Sequence, residues 1–293
     1  MEKLRFLDER TDRKPFVYNQ KAVASALKKL DENNEKIVDF IKLYPTFGKK
    51  INSTDFRKKH FFNGALSFLA LDHNQTVGVV PTEKMSTEEA EVEEEKMQKI
   101  RGYYEACKYV YEKAHDSGYY EVDKELLLNA HALLDVDNEK GNKVPSYRFR
   151  SGTDPEIQMT RGTCFQPVVG DLVELRVMNL FTMFNTLWYK DPTIVRGAKF
   201  VSEYFRIQPH MDGNKRTALM GLNFMLIKSG YPEIFFDKKD QRKLIDSLEN
   251  AILTRDVTDL SLLIASKVSK RQEEINSEIV NFRIENYMKN NTK

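Results

Sequence analysis

The chain has 293 residues, and its 46 Lys and Arg against 44 Asp and Glu give a net charge of +2. This balance disfavours DNA or RNA as a partner, since nucleic-acid-binding domains carry a clear basic excess. No apolar stretch reaches the roughly 18 residues that a membrane span needs. Two cysteines, Cys107 and Cys164, exclude a disulfide framework and a cysteine-rich zinc site. The N-terminal segment is charged throughout and lacks an apolar signal region, which predicts a cytoplasmic location.

Apolar residues recur at helical spacing through most of the chain, which predicts a mainly α protein. The predicted helices cover residues 19–44, 87–115, 123–134, 171–189, 193–205, 215–228, 238–254 and 259–287. Residues 61–71 form a short apolar run, residues 50–59 are polar and predict a connection, and residues 78–87 predict a loop. Residues 135–166 contain several glycines and prolines, which favour turns, and this is the one stretch where we expect a β-hairpin.

The segment that carries chemistry is residues 206–219, RIQPHMDGNKRTAL, where a loop runs into an apolar-periodic helix. A helix N-terminus presents free N–H groups and a positive dipole end, which favour a bound phosphate. Gly213 permits close approach of the backbone to a ligand, and Arg216 can hold phosphate oxygens bidentately. Asp212 is a hard oxygen ligand suited to Mg²⁺. The alternative interpretation is an Asp-capped helix with Lys215 and Arg216 as a surface pair.

Residues 208–216, QPHMDGNKR, resemble the signature loop of the Fic/Doc family, H-P-F-x-D/E-G-N-G/K-R. The resemblance extends beyond the loop, over about residues 60–265. Residues 197–207 resemble the helix that leads into the loop, residues 144–152 the G-x-Y/F-R segment, and residues 154–167 the flap hairpin that positions a target side chain. The resemblance implies a Fic-fold helical bundle with one β-hairpin flap.

Members of this family transfer AMP, or less often another phosphate-containing group, from a nucleotide to a protein hydroxyl. The resemblance therefore implies ATP and Mg²⁺ as ligands and a target protein with a Ser, Thr or Tyr hydroxyl as partner, and it allows a homodimer. It assigns Mg²⁺ to Asp212 and an anion hole to Gly213 and Asn214, with Lys215 and Arg216 also in the nucleotide site. In such phosphoryl chemistry, positioning and charge stabilisation carry most of the catalysis.

The loop departs from the family pattern at its catalytic position. Gln208 stands where the family has the His that takes the proton from the target hydroxyl. An amide has no useful basicity near pH 7, and losing a positioned base costs about 10²–10⁴-fold in rate. His210 stands at the family's Phe position. It is either a displaced base or, as we expect, a side chain of aromatic size that fills the Phe pocket.

Two positions further along the loop and helix also depart from the pattern. Lys215 replaces the Gly of AMP-transferring members and matches the Doc branch, which indicates a different nucleotide pose or a different transferred group. Leu219 replaces a second Arg that holds the γ-phosphate in many adenylylating members, and we expect it in the core.

Upstream, residues 68–74, FLALDHN, fall where some members carry an inhibitory helix written S/T-x-x-x-E-G/N. Asp72 stands at the position of the inhibitory Glu, Asn74 closes the segment, and Phe68 occupies the Ser/Thr position. The acid and its partner Arg are altered together, which indicates that little remains to be inhibited. An ordinary helix-end role for Asp72 is the alternative.

The chain accordingly divides into four expected segments. Residues 1–60 form an N-terminal helical extension, and residues 61–115 hold the inhibitory-helix-like segment and a long helix. Residues 116–265 form the Fic core, and residues 266–293 form a charged C-terminal helix. Apolar positions within residues 23–43 predict that the extension packs on the core, giving one globular body.

Three hypotheses for function follow from these residues. The first is a nucleotide-binding protein whose transferase activity is weakened or lost, and Gln208 favours it. The second is an active AMP- or phosphotransferase that uses water, substrate assistance or His210 in place of the missing base. The third is a non-catalytic interaction module that docks through its hairpin and the Glu-rich helix beginning at Thr87. A solvated helix face is the commoner meaning of such a glutamate run.

Overall fold

A computed structural model of the chain describes residues 14–73, 87–118, 121–134, 149–150, 157–158, 164–165 and 167–291. These residues are helical almost throughout, which confirms the prediction of a mainly α protein. The helices are α1 (Gln20–Leu43), α2 (Pro45–Ile51), α3 (Thr54–His73), α4 (Thr87–His115), α5 (Lys124–Leu134), α6 (Val173–Thr186), α7 (Thr193–Ile207), α8 (Asn214–Lys228), α9 (Gln241–Thr254) and α10 (Thr258–Asn291). Short 3₁₀ turns at Gly170–Leu172 and Lys238–Asp240 precede α6 and α9.

Helix α8 is the centre of the fold and packs against α4, α5 and α7. It is buried on nearly every side because its sequence is apolar around most of its circumference, as a central helix requires. Two glycines let α7 and α8 approach closely. A Cβ at Gly197 would lie 2.5 Å from Leu222 Cδ1, and one at Gly221 would lie 2.7 Å from Phe200 Cε1. The close approach sets the spacing between the two helices that the loop joins.

The N-terminal helix α1 packs on the C-terminal helix α10. Val23 and Leu30 of α1 enter the main core, and Gln272 Nε2 of α10 donates a hydrogen bond to the Leu30 carbonyl at 3.0 Å. A second, smaller core lies at the other end of this helix pair and consists of Ile37, Phe40, Phe47, Ile279 and Phe282. The residues that the structure describes before position 60 therefore lie against the rest of the molecule.

A short bridge also ties the segment before α1 to the start of α10. The Val17 N–H donates to the Arg255 carbonyl at 2.9 Å, and the Val257 N–H donates to the Val17 carbonyl at 3.0 Å. Arg255 itself has a left-handed backbone, with φ of 64°. Its Nη1 donates to Glu203 Oε2 at 2.6 Å, and its guanidinium carbon lies 3.6 Å from the ring centroid of Phe16.

The connection predicted over residues 50–59 is wrong. Helix α2 runs to Ile51, and after a two-residue turn α3 begins at Thr54. Half of the polar residues of this stretch are Lys or Arg, which are good helix formers, and the buried Phe47 and Phe61 anchor the helices on either side. At the other end of the chain, the boundary proposed at residue 266 falls within the continuous helix α10.

The predicted hairpin lies mostly outside the described residues. Within it, β1 (Ile157–Gln158) pairs antiparallel with β2 (Cys164–Phe165), and Ile157 lies opposite Phe165. The part that the structure describes is thus a ladder of two residues in each strand, much shorter than the predicted flap. Among the described helices, none is both long and apolar enough to cross a membrane.

Candidate functional site

The loop between α7 and α8 is bracketed by two residues with left-handed backbones. Gln208 ends α7 with φ of 50°, and Gly213 precedes α8 with φ of 78°. A left-handed conformation is rare for a residue with a side chain, whereas glycine adopts it without strain. A Cβ at Gly213 would lie 3.2 Å from Nε2 of His131, so a larger residue would also crowd its neighbour.

The side chain of Asn214 closes the loop onto itself. Its Oδ1 accepts a hydrogen bond from the His210 N–H at 2.8 Å, and its Nδ2 donates to the His210 carbonyl at 2.7 Å. Both residues are buried. This reciprocal pair satisfies two backbone groups of the loop, so the Asn214 side chain holds the loop together. A contact of Asn214 with a ligand would come from its backbone N–H.

Arg150 fastens the beginning of the loop. Its Nε donates to the Gln208 carbonyl at 2.6 Å, its backbone N–H donates to the Pro209 carbonyl at 2.8 Å, and its Nη2 contacts the carbonyls of Ile207 and Val168. A cation at the last carbonyls of a helix is favourable because those groups carry the negative end of the helix dipole. Residues 144–152 resemble the G-x-Y/F-R segment of the family, but no feature of the sequence singles out Arg150 as a support of this loop.

Gln208 is turned inward. Its side chain is buried, and Nε2 donates to the Phe205 carbonyl at 2.7 Å. Its backbone N–H donates to the Tyr204 carbonyl at 3.1 Å. The amide therefore caps the last turn of α7, and it has no basic atom with which to accept a proton.

His210 occupies a pocket of aromatic side chains. It is 2% exposed, its ring is stacked on that of His131, and Phe149 lies 5.7 Å away between centroids. Its Nε2 and the Tyr204 hydroxyl are 2.9 Å apart. Burial, together with the nearby His131, lowers the pKa of His210 well below its ordinary value. These contacts favour the interpretation of His210 as a filler of the Phe pocket over that of a displaced base.

Asp212 and Arg216 meet at the start of α8. The Asp212 side chain is 80% exposed, its Oδ1 accepts the Gly213 N–H at 2.6 Å, and its Oδ2 accepts Nη2 of Arg216 at 3.0 Å. The Asp212 carbonyl lies 3.0 Å from Nε2 of His131, a residue on α5 that the sequence analysis had not placed at this site. Lys215 is partly exposed in the same turn.

The donor set of this turn suits a magnesium ion shared with phosphate. Mg²⁺ is commonly bound through one or two carboxylates together with substrate phosphates and water. Asp212 offers one exposed carboxylate, and the described residues contain no cluster of three or more His, Cys, Asp or Glu that could enclose a metal alone. Of the inhibitory-helix-like residues, Asp72 lies in the last turn of α3, and Asn74 lies outside the described residues.

Solved structures of Fic proteins share this fold. A Fic domain containing signaling protein from Bacteroides thetaiotaomicron aligns over 84% of this chain and 96% of its own, with 16% identity and a TM-score of 0.62. A Fic family protein from Desulfovibrio desulfuricans aligns over 92% and 77%, with 15% identity and a TM-score of 0.63. Fic-1 from C. elegans aligns over 87% and 73%, with 18% identity and a TM-score of 0.62.

No protein-family model matches the sequence, and no curated protein matches it either. At these identities the structural likeness establishes the fold, while the chemistry has to be argued from the residues of the site. The chain therefore has the Fic fold.

Proposed function

We propose that this protein binds a nucleotide through residues 212–216 and that its capacity to transfer AMP to a protein hydroxyl is weakened. The observation that carries the proposal is the meeting of Asp212 and Arg216 at the N-terminus of α8. The Asp212 carboxylate, which can bind a metal, lies beside the Arg216 guanidinium, which can bind phosphate. Gly213, the N-cap of α8, has no side chain that would block a ligand from the end of the helix.

Each residue of the turn has a distinct task in this proposal. Asp212 would hold Mg²⁺, which supplies charge neutralisation between phosphate oxygens when it is bound. The backbone N–H groups at Gly213 and Asn214 would receive a phosphate oxygen. Arg216 would hold phosphate from the buried side of the turn, and Lys215 from the exposed side.

The weakness of transfer follows from Gln208. In AMP transfer the target hydroxyl attacks the α-phosphorus of ATP and pyrophosphate leaves. The hydroxyl has to give up its proton in this step, and the amide of Gln208 cannot take it. The described surroundings of His210 do not support it as a replacement base, since that ring is buried among Phe149, Tyr204 and His131. Transfer would then depend on water or on the substrate itself as base.

A target protein with a Ser, Thr or Tyr hydroxyl is part of the same proposal. The β1–β2 ladder lies in the segment that resembles the family flap, and we assign it the task of aligning the target chain. An extended peptide can add to such a short ladder through its backbone N–H and carbonyl groups.

Calorimetric titration with ATP, ADP and AMP, each with and without Mg²⁺, tests nucleotide binding. We expect saturable, Mg²⁺-dependent binding that is lost in Arg216→Ala. Arg242→Ala is the matched control, because Arg242 and Asp246 form a pair of the same kind and spacing on the surface of α9. Absence of binding by the wild-type protein at millimolar nucleotide, or equal loss in both variants, would refute the proposal.

A further inference from the structure

A tyrosine of the long helix α4 contacts the arginine of the proposed nucleotide site. Tyr103 has no exposed surface, and its hydroxyl oxygen accepts a hydrogen bond from Nη1 of Arg216. The guanidinium carbon of Arg216 lies 5.2 Å from the centroid of the tyrosine ring. Arg216 is only 5% exposed, so its guanidinium lies against the wall that α4 forms beside α8.

The two terminal nitrogens of Arg216 have partners of different character. Nη1 bonds to Tyr103, whose position is fixed by the protein core. Nη2 bonds to Asp212, whose side chain is 80% exposed and is also the proposed magnesium ligand. If Asp212 turns to another partner, the bond to Tyr103 still holds the guanidinium at the loop.

We infer that Tyr103 is a positioning residue for phosphate recognition. Its hydroxyl keeps the Arg216 guanidinium beside the N-terminus of α8 before a ligand arrives. An arginine side chain loses much rotamer freedom when it is ordered, so a guanidinium that is already held binds its anion more tightly. This inference rests on the proposed function, because it requires that Arg216 contacts phosphate.

Tyr103→Phe tests the inference, because it removes the hydroxyl oxygen and keeps the buried ring. We expect MgATP, MgADP and pyrophosphate to bind about tenfold more weakly to this variant, which is the lower end of the effect of losing a hydrogen bond to a charged group. Tyr109→Phe is the matched control. Its hydroxyl, also on α4, accepts a hydrogen bond from Asn129 at 3.1 Å, so the variant breaks an interhelix bond away from Arg216.

A second measurement reports on the guanidinium alone. In arginine-detected NMR of the ligand-free protein, the side-chain signals of Arg216, assigned by their loss in Arg216→Lys, are expected to show restricted rotation. In Tyr103→Phe the guanidinium should rotate freely, so that its separate N–H signals merge into averaged ones. In Tyr109→Phe the signals should stay unchanged. A merely structural role for Tyr103 would not alter these signals selectively.

The outcomes separate the inference from the function on which it rests. Equal affinities in the wild type and Tyr103→Phe, with binding lost in Arg216→Ala, overturn the inference and leave the proposed function standing. Equal weakening by Tyr103→Phe and Tyr109→Phe also overturns it, because the loss would then reflect general loosening of α4. A wild-type protein that binds none of the three ligands overturns both.

Discussion

The imidazole rings of His131 and His210 lie stacked, with centroids 3.5 Å apart and planes 5° from parallel. One ring comes from α5 and the other from the loop, so the stack attaches the loop to the helix beneath it. Because burial and the neighbouring His131 lower the pKa of His210 well below 6.5, His210 is neutral in the folded protein near pH 7. It acts there as an aromatic core residue.

The neutral His210 predicts a loss of stability in mild acid. Below about pH 6.5 the unfolded chain binds a proton at this residue and the folded protein does not, so a falling pH favours unfolding. His210→Phe keeps the ring and removes the titration. We expect the free energy of unfolding, from urea titrations between pH 7 and 5, to fall less steeply in this variant. A slope equal to that of the wild type would contradict the prediction.

A second acid-sensitive group lies beyond the C-terminal end of α8, whereas His210 lies before its N-terminal end. Glu233 Oε1 is 3.1 Å from His60 Nε2 and 3.5 Å from Arg57 Nη1. Burial alone would raise the pKa of Glu233, but the hydrogen bond and charge of His60, with the charges of Arg271 and Arg57, lower it to about 2. Stability from this carboxylate is therefore fully present above about pH 4.5 and is lost as the pH falls toward 2.

Glu233→Gln should lower the free energy of unfolding at pH 7 by about 3 kcal/mol, because it leaves the partly buried Arg57 and Arg271 without the anion that faces them. It should also flatten the stability profile below pH 4.5. Asp39→Asn is the control, since Asp39 pairs with Lys42 on the surface, and such pairs contribute about 0–1 kcal/mol. Chemical denaturation of the three proteins from pH 3 to 7 makes the comparison. Similar losses in both variants would argue against a special role for Glu233.

The substitution Gln208→His introduces a base at the position where the Fic/Doc signature loop, which this loop resembles, has its His. We expect the transfer of labelled AMP to protein to rise by about 10²–10⁴-fold, the usual contribution of a positioned base. Histidine tolerates the left-handed backbone at this position better than most residues do. The nucleotide affinity should stay the same and serves as the control. An unchanged rate with intact binding would place the deficit elsewhere, with Lys215 as the next residue to examine.

The substitution Asp212→Asn distinguishes the contribution of Mg²⁺ to nucleotide binding from the contribution of direct phosphate contacts. The amide is a poor ligand for Mg²⁺ and no longer attracts Arg216, so nucleotide binding should become independent of Mg²⁺. Without Mg²⁺, the variant should bind ADP at least as tightly as the wild type does, because Arg216 loses its competing anion. Calorimetry with and without a chelator measures both effects. Mg²⁺ dependence that persists in the variant would exclude Asp212 as the metal ligand.

Helices such as α1, α7 and α9 could be predicted from the sequence because their apolar residues repeat at the helical period over ten or more positions. The candidate site could be predicted because its residues, from Gln208 to Arg216, are contiguous in the chain. The connection predicted over the polar residues 50–59 was wrong, since composition alone does not distinguish a solvated helix from a connection.

The residues that support the loop from elsewhere in the chain could not be predicted from the sequence. Tyr103 and His131 lie 113 and 81 positions from the residues they contact, and Arg150 lies 58 positions from Gln208. In one sequence, a buried tyrosine of α4 looks like any other core residue of an amphipathic helix. Only the packing of α4 and α5 against α8 shows that Tyr103 and His131 support the loop.

The bridge between Val17 and α10 has a consequence for any shortened version of this protein. Arg255, which it holds in place, neutralises Glu203 inside α7, a few residues before Gln208. A fragment confined to residues 60–265 would remove Phe16 from the face of that guanidinium and admit water to a buried ion pair. The segment that contains Phe16 and Val17 thus supports the loop indirectly, through Arg255 and Glu203. Its removal is expected to destabilise the end of α7 from which the loop begins.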